Sequence, residues 1–242
     1  MAAVACKLVN GDLLPERCRD CPLRKNGFCA SLSPAELARL HPHLIRKRLQ
    51  PGDRIISQGV ANAHYYHVVS GTAKLSAVLE GGTEQILGLR FAGDFLGQRF
   101  APEAGFTAEA ATEVELCKVP RTALDALADA NTHVGHLMHR QVVAELEETR
   151  AWVLAIAQRD ARQRVAGLLH RIARRQPSEH AGARFALPLS RAEIGNYLGL
   201  TVETISRQLT ALRRDGLIAI ERKTHVTVAN MVRLATAAGI NA

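Results

Sequence analysis

Apolar positions change rhythm several times along the chain. Residues 1–30 show no period and are interrupted by Gly11, Pro15, Pro22 and Gly27. Ser33-Pro34-Ala35-Glu36 then predicts a helix start: Ser33 caps, Pro34 fits the first turn and Glu36 closes a capping box. Leu37 and Leu40 carry that helix toward His41-Pro42. Between 44 and 120, the short apolar runs YYHVVS, AKLSAVL and QILGLRF alternate with turns at Pro51-Gly52-Asp53, Ser70-Gly71, Gly81-Gly82 and Ala92-Gly93-Asp94. Short strands at that spacing predict a small antiparallel sandwich or barrel.

Residues 121–157 turn helical. Thr122 or Pro120 opens a helix carrying Leu124 and Leu127, and a long amphipathic helix follows over roughly 131–157. With Leu146 at heptad position a, His139, Leu146 and Val153 fall at a, and Val142, Thr149 and Ile156 at d. That is a seam for two helices, with Glu145 placed to meet Arg150 of a partner; the same face could instead pack on its own domain. A basic helix (161–175), a linker around Pro177–Gly182, two short helices and a strand pair at 217–228 complete the chain.

The two short helices carry the first chemistry. Ser190 caps RAEIGNYL, Gly199 supplies the turn, and Thr201 opens VETISRQLTALRR, which ends near Asp215-Gly216. A tight turn between such helices predicts a helix-turn-helix with its second helix in the major groove. Ile194, Leu198, Leu200, Ile205, Leu209 and Leu212 form the packing face. Val202, Glu203, Ser206 and Arg207 lie opposite, near the helix start. Arginine pairs with guanine, glutamate accepts from cytosine, and serine contacts either kind of base. Glu203 and Arg207 could also simply pair with each other at i,i+4. Arg213, Arg214, Arg222 and Lys223 are expected on phosphates.

Charge strengthens this reading. The net charge of +8 is uneven: residues 150–242 hold fifteen Lys/Arg against six Asp/Glu, and residues 1–149 hold sixteen against seventeen. A basic C-terminal part is the footprint of a polyanion partner. No run of eighteen apolar residues predicts a membrane span, and MAAVACKLVNGDLLPERC lacks a secretory layout. A cytoplasmic location is expected, where structural disulfides are disfavoured. No nucleophile–base–acid set stands out, so an enzyme is not expected. His133, His136 and His139 could take metal or haem, or could line an exposed helix face.

The second chemistry is sulfur. Cys18, Cys21 and Cys29 form C-x2-C-x7-C, and Cys117 stands alone in VELCKVP. Four such thiolates suit a tetrahedral site, either structural zinc or an iron–sulfur cluster. Arg17, Arg19, Arg24, Lys25 and Lys118 flank them, and nearby cations favour thiolate. A lone Cys117 could also be a small core residue. A redox pair at Cys18 and Cys21 lacks the βαβ context.

IGNYLGLTVETISRQL resembles the DNA-binding signature of the Crp–Fnr family of bacterial regulators, specifically its Fnr-type branch. SGTAKL, GLRFAGDFLG and the long helix follow in family order, so the resemblance spans nearly the whole chain. It implies an α+β chain with an N-terminal β-roll (a cyclic-nucleotide-binding-like jelly roll), a dimerising helix and a C-terminal winged helix-turn-helix. The expected parts are a cysteine-bearing sensory segment (1–30), the β-roll (31–121), the dimerisation helix (122–157, with Val142, Leu146, Thr149, Val153 and Ile156 at the interface) and the DNA-binding domain (158–242). The resemblance further implies a homodimer that reads TTGAT-type palindromes through Glu203, Ser206 and Arg207 and works with RNA polymerase. It implies a [4Fe–4S] cluster on Cys18, Cys21, Cys29 and Cys117, with an oxygen response. The seven-residue gap occurs in some oxygen-sensing members, while enteric members have five. Cys6 falls outside the pattern. The cyclic-AMP branch uses a Glu and an Arg-Ser/Thr pair; here Gln98 follows Gly97, PEAGFTAEAAT has no arginine, and Arg99 is wrongly spaced, so no cyclic nucleotide is expected.

Overall fold

Eight short strands follow the turn signals between residues 45 and 120. The computed structural model describes residues 16–25, 27–175 and 182–240. Cys6 and most of the linker around Pro177–Gly182 lie outside that range. The chain divides into two units, residues 1–84 with 88–145, and 85–87 with 146–242.

The first unit opens with a single turn, α1 (Glu16–Arg19), and α2 (Pro34–Leu40). The Ser33 capping box forms as expected, with Glu36 returning a bond to the Ser33 N–H. The strands are β1 (Ile45–Leu49), β2 (Arg54–Ile56), β3 (His64–Ser70), β4 (Thr72–Val78), β5 (Glu84–Phe91), β6 (Phe95–Leu96), β7 (Thr107–Ala110) and β8 (Val114–Pro120). They form two four-stranded sheets, ordered β1-β8-β3-β6 and β2-β7-β4-β5. Leu49, Val68, Leu96, Val114 and Leu116 of the first sheet and Ile56, Ala73, Leu75 and Ala108 of the second form one buried core with Phe106. This is the expected β-roll.

The first sheet is covered on its outer side too. Tyr65 and Val119 pack there with Phe28, Leu32, Leu37 and Leu40 of the N-terminal part. Leu124 and Leu127 of α3 (Arg121–Ala130), and Val134, Leu137 and Met138 at the start of α4 (Thr132–Gln158), join them. β3 is thus buried on both faces, which explains why HYYHVVS shows no simple alternation.

α4 runs 27 residues and changes environment along its length. After Met138 its side chains are largely exposed, including Val142, Leu146 and Val153. Thr149 is also exposed and Ile156 half-buried. The expected pairing of Glu145 with Arg150 of a partner meets competition, because Glu145 is bonded to Arg90 and Arg150 to Glu147 at 2.7 Å within the chain.

In the second unit, Asp160 and Gln163 form a capping box that starts α5 (Ala161–Arg174). α6 (Arg191–Leu198), α7 (Val202–Arg214) and α8 (Met231–Ala237) complete its helices. The expected strand pair, β10 (Ala219–Glu221) and β11 (His225–Val228), is joined by β9 (Ala183–Ala186), giving a sheet ordered β10-β11-β9. RFA was too short and too isolated in the sequence to predict β9.

Candidate DNA-reading helix and cysteine cavity

α6 and α7 are built by local rules. Ser190 and Glu193 form a capping box, Gly199 closes α6 in the left-handed conformation, and the Thr201 side chain accepts from the Thr204 N–H. Gly195 is required by space: a Cβ there would sit 2.6 Å from the Leu200 carbonyl oxygen. Of the expected packing face, Ile194, Leu198, Ile205, Leu209 and Leu212 are buried, while Leu200 is only half-buried because it lies in the turn.

The opposite side of α7 is open. Val202, Glu203 and Arg207 are exposed, and among the described residues Glu203 and Arg207 are not paired with each other. Both are therefore available to base edges. Ser206 is half-buried and accepts from Arg191 Nη1 at 3.0 Å. Arg191 is thereby brought beside Ser206, a neighbour not apparent from the amino-acid spacing. Arg213 and Arg214 are exposed at the helix end, where Asp215 holds Arg162 at 2.7 Å and Arg214 at 3.5 Å. Arg222 and Lys223 form the tip of the β10–β11 turn with φ of 48° and 67°, the left-handed region that a tight hairpin demands. The wing therefore presents two cations on a strained turn.

The end of α4 is fastened to this region. Trp152 stacks on Tyr197 of α6 with ring centres 4.1 Å apart, and Arg171 donates to the Tyr197 hydroxyl at 2.9 Å and pairs with Glu148. Arg164 donates to the carbonyls of Ile156 at 2.7 Å, Arg159 at 2.9 Å and Leu198 at 3.2 Å. These links are invisible in the sequence because they join side chains and carbonyls far apart along it.

The four cysteines converge in the first unit. Cys18, Cys21, Cys29 and Cys117 line one cavity with Leu23, Arg24, Leu37, His41, Leu44 and Arg46. α1 carries Cys18. Cys21 precedes the helical turn Pro22–Arg24, Cys29 sits in the turn Phe28–Ser31, and β8 supplies Cys117. Cys18 and Cys117 are buried and the other two half-buried. Gly27 shapes this loop, since a Cβ there would meet the Gly93 carbonyl oxygen at 2.5 Å.

Two arginines organise the cavity. Arg24 Nη1 donates to the carbonyls of Cys29 at 2.9 Å and Leu32 at 3.0 Å, so it holds the cysteine loop by its backbone. Arg46, on β1 directly opposite Cys117 in register, donates from Nη2 to Cys21 Sγ at 2.8 Å. Arg46 was not among the cations expected there, because strand pairing rather than sequence proximity brings it in. Lys118 departs from expectation: adjacent strand residues face opposite ways, and its charge acts on His64. Burial, reinforced by repulsion from Cys117, Cys21 and Cys18, pushes the Cys29 thiol up to about 12. Burial likewise raises Cys117 to about 11, with Arg46 acting against it.

The donor set fits a four-thiolate group. Burial and mutual repulsion make four thiolates unfavourable here unless cations sit among them, which is what a metal group supplies. A guanidinium already turned to one sulfur, and a buried Arg46 Nη1 without a hydrogen-bond acceptor, match an anionic occupant. Among the described residues, no three His, Cys, Asp or Glu donors meet where a single ion could be held.

A β-roll, a long helix with an open apolar face and a winged helix-turn-helix define a class, that of DNA-binding transcription regulators. The comparisons place it more finely. Residues 163–237 match the Crp-like helix-turn-helix domain and residues 46–131 the cyclic nucleotide-binding domain. A probable transcriptional activator of Rhizobium leguminosarum bv. viciae is 41% identical over 221 residues, 91% of this chain and 92% of that protein. The transcriptional activator protein FnrL of Cereibacter sphaeroides is 36% identical over 228 residues, 92% of each chain. The structure of FixK2 from Bradyrhizobium japonicum superposes with a TM-score of 0.75 at 27% identity, covering 82% of this chain and 99% of that one. The chain belongs to the Crp–Fnr family. No helix among the described residues is long and apolar enough to cross a membrane.

Proposed function

We propose that this regulator responds to oxygen through a [4Fe–4S] cluster held by Cys18, Cys21, Cys29 and Cys117, and binds TTGAT-type palindromes as a homodimer when the cluster is present. The observation that carries the proposal is the convergence of four cysteines, from α1, two turns and β8, on one cavity beside a cation. Such a cluster supplies sensitivity to oxygen when bound. The chain supplies the rest. The thiolates tie the segment before α2 to β8, and that segment packs through Phe28 and Leu32 on the same core as Val134, Leu137 and Met138 of α4.

Loss of the tie loosens one wall of that core, and the start of α4 with it. The open face of α4, with Val142, Leu146 and Val153, suits a second copy of the helix. Thr149 and His139 make it a weak seam, so small changes in the first unit can shift the monomer–dimer population. A dimer places two α7 helices in successive major grooves about one helical turn apart. Family membership supports a cytoplasmic activator working with RNA polymerase. Arg99, the cation weighed for the nucleotide position, is taken by Asp125 at 3.3 Å and by Asp129, which argues against a cyclic phosphate ligand.

The test is anaerobic purification, iron and sulfide analysis, and absorption spectra before and after air, with sedimentation and operator binding on the same samples. The expected result is a brown dimer that binds, bleaches in air and dissociates. A colourless protein with one zinc per chain and no change in air would replace the cluster with structural zinc.

A further inference from the structure

Arg46 has a geometry that its place on a surface strand does not explain. Its Nη2 donates to Cys21 Sγ at 2.8 Å, and its Nη1 is buried, 3.6 Å from Glu115 Oε1 and without a hydrogen bond. Glu115 precedes Cys117 by two residues, so both point to the same side of β8 and Glu115 holds the guanidinium over the thiols. A buried N–H without an acceptor is costly, so the arrangement calls for one. The cavity that Arg46 lines is where that acceptor belongs.

We infer that Arg46 is a tuning residue of the sulfur site: it donates to the Cys21 thiolate and offers a second N–H to sulfur of the bound cluster, raising the cluster's reduction potential. This inference rests on the cluster reading. A cubane with four thiolate ligands is an anion, and gaining an electron makes it more so. A guanidinium in contact with a ligand sulfur favours the reduced state, because hydrogen bonds to sulfur and local charge both set cluster potentials. Arginine suits the role because it keeps its charge at any working pH and its planar fork presents two N–H groups at once. Arg24 cannot share this role in the same way, since its Nη1 is committed to the carbonyls of Cys29 and Leu32.

Wild type, Arg46→Gln, Arg46→Lys and Glu115→Gln are reconstituted anaerobically, assayed for iron and sulfide, and titrated with dithionite against mediators while the absorption spectrum is followed. Arg46→Gln is expected to load iron and sulfide as wild type does. At fixed poise its ratio of oxidised to reduced cluster should rise on the order of tenfold, about 59 mV for a one-electron couple. Arg46→Lys should recover part of the shift, and Glu115→Gln should move the potential less than Arg46→Gln. A loaded Arg46→Gln protein with an unmoved midpoint overturns the role of Arg46 and leaves the cluster standing. If Arg46→Gln cannot load but Arg46→Lys loads at the wild-type potential, Arg46 only assembles the site and the tuning role is likewise overturned. A wild type that takes up no iron and sulfide removes the cluster itself, and the inference falls with it.

Discussion

The reading surface and the cysteine cavity are made in opposite ways. The helix-turn-helix takes its caps, its turn and its exposed side chains from one run of 25 residues, Ser190 to Arg214, and the Arg191–Ser206 bond spans only 15 positions. The cavity needs α1, two short turns, β1 and β8, and its last cysteine lies far along the chain from the first three. The first is complete once the chain folds. The second gathers thiols that burial keeps protonated. The reading surface is thus set by neighbours along the sequence, and the cavity by strand register and by turns far apart in the chain.

The largest effect should come from breaking the cavity at its distant ligand. Cys117→Ser replaces a soft thiolate by a hydroxyl, and iron and sulfide after anaerobic reconstitution should fall to background. Stability of the DNA-reading unit, followed by Trp152 fluorescence because that ring stacks on Tyr197, should not change. Full loading in the variant would remove Cys117 from the ligand set and with it the idea that the cavity closes on β8.

The reading surface should break in two distinguishable ways. Arg207→Ala should lose about 1–3 kcal/mol of discrimination at one guanine. Arg222→Ala should weaken all sequences alike and flatten the salt dependence. Titrations on a TTGAT palindrome and its single-base variants separate them; equal weakening everywhere by Arg207→Ala would make that residue a phosphate contact.

What could be read from the amino acids alone follows the same division. Ser190, Gly199, Thr201 and the spacing of Ile205, Leu209 and Leu212 act over a few residues, and the sequence shows them directly. The cysteine spacing and the strand run VELCKVP point to the ligands, but not to Arg46. Its place is set by the β1–β8 register, and nothing local encodes that Ile45 meets Lys118. Lys118 misled for the same reason: proximity along a strand is not proximity in space. β9 and the Arg164 bonds were hidden because each depends on partners brought in by folding.

Glu36 offers a smaller test on the sensing side. Burial works against its charge, but the Ser33 backbone N–H, His133, the Ser33 side chain and Asn131 outweigh it and hold the carboxyl down at about 2, against 4.5 ordinarily. The folded chain therefore keeps Glu36 ionised where the unfolded chain protonates it. Its contribution is fully present above pH 4.5 and is lost as pH falls toward 2. Glu36→Gln should flatten the acid limb of the melting temperature for the first unit, leaving the second unit's transition in place. An acid limb as steep as that of wild type would show that other carboxylates dominate.

The smallest expected effect lies at the wing. Arg222 and Lys223 both take positive φ, a conformation that favours asparagine and glycine, in the three-residue turn between Glu221 and His225. Relieving it by Arg222→Asn with Lys223→Gly should stabilise the second unit, on the order of 1 kcal/mol. The same change removes two cations from the tip, so affinity should fall for every DNA sequence and the slope of affinity against salt should drop by about two charges' worth. Stability and binding thus move in opposite directions from one double substitution, which a loss of folding cannot imitate. A melting temperature that rises with binding unchanged would leave the strained turn in place but take the wing off the phosphates. DNA contact would then rest on α7, with Arg213 and Arg214 in its last turn, and on Arg191 beside it.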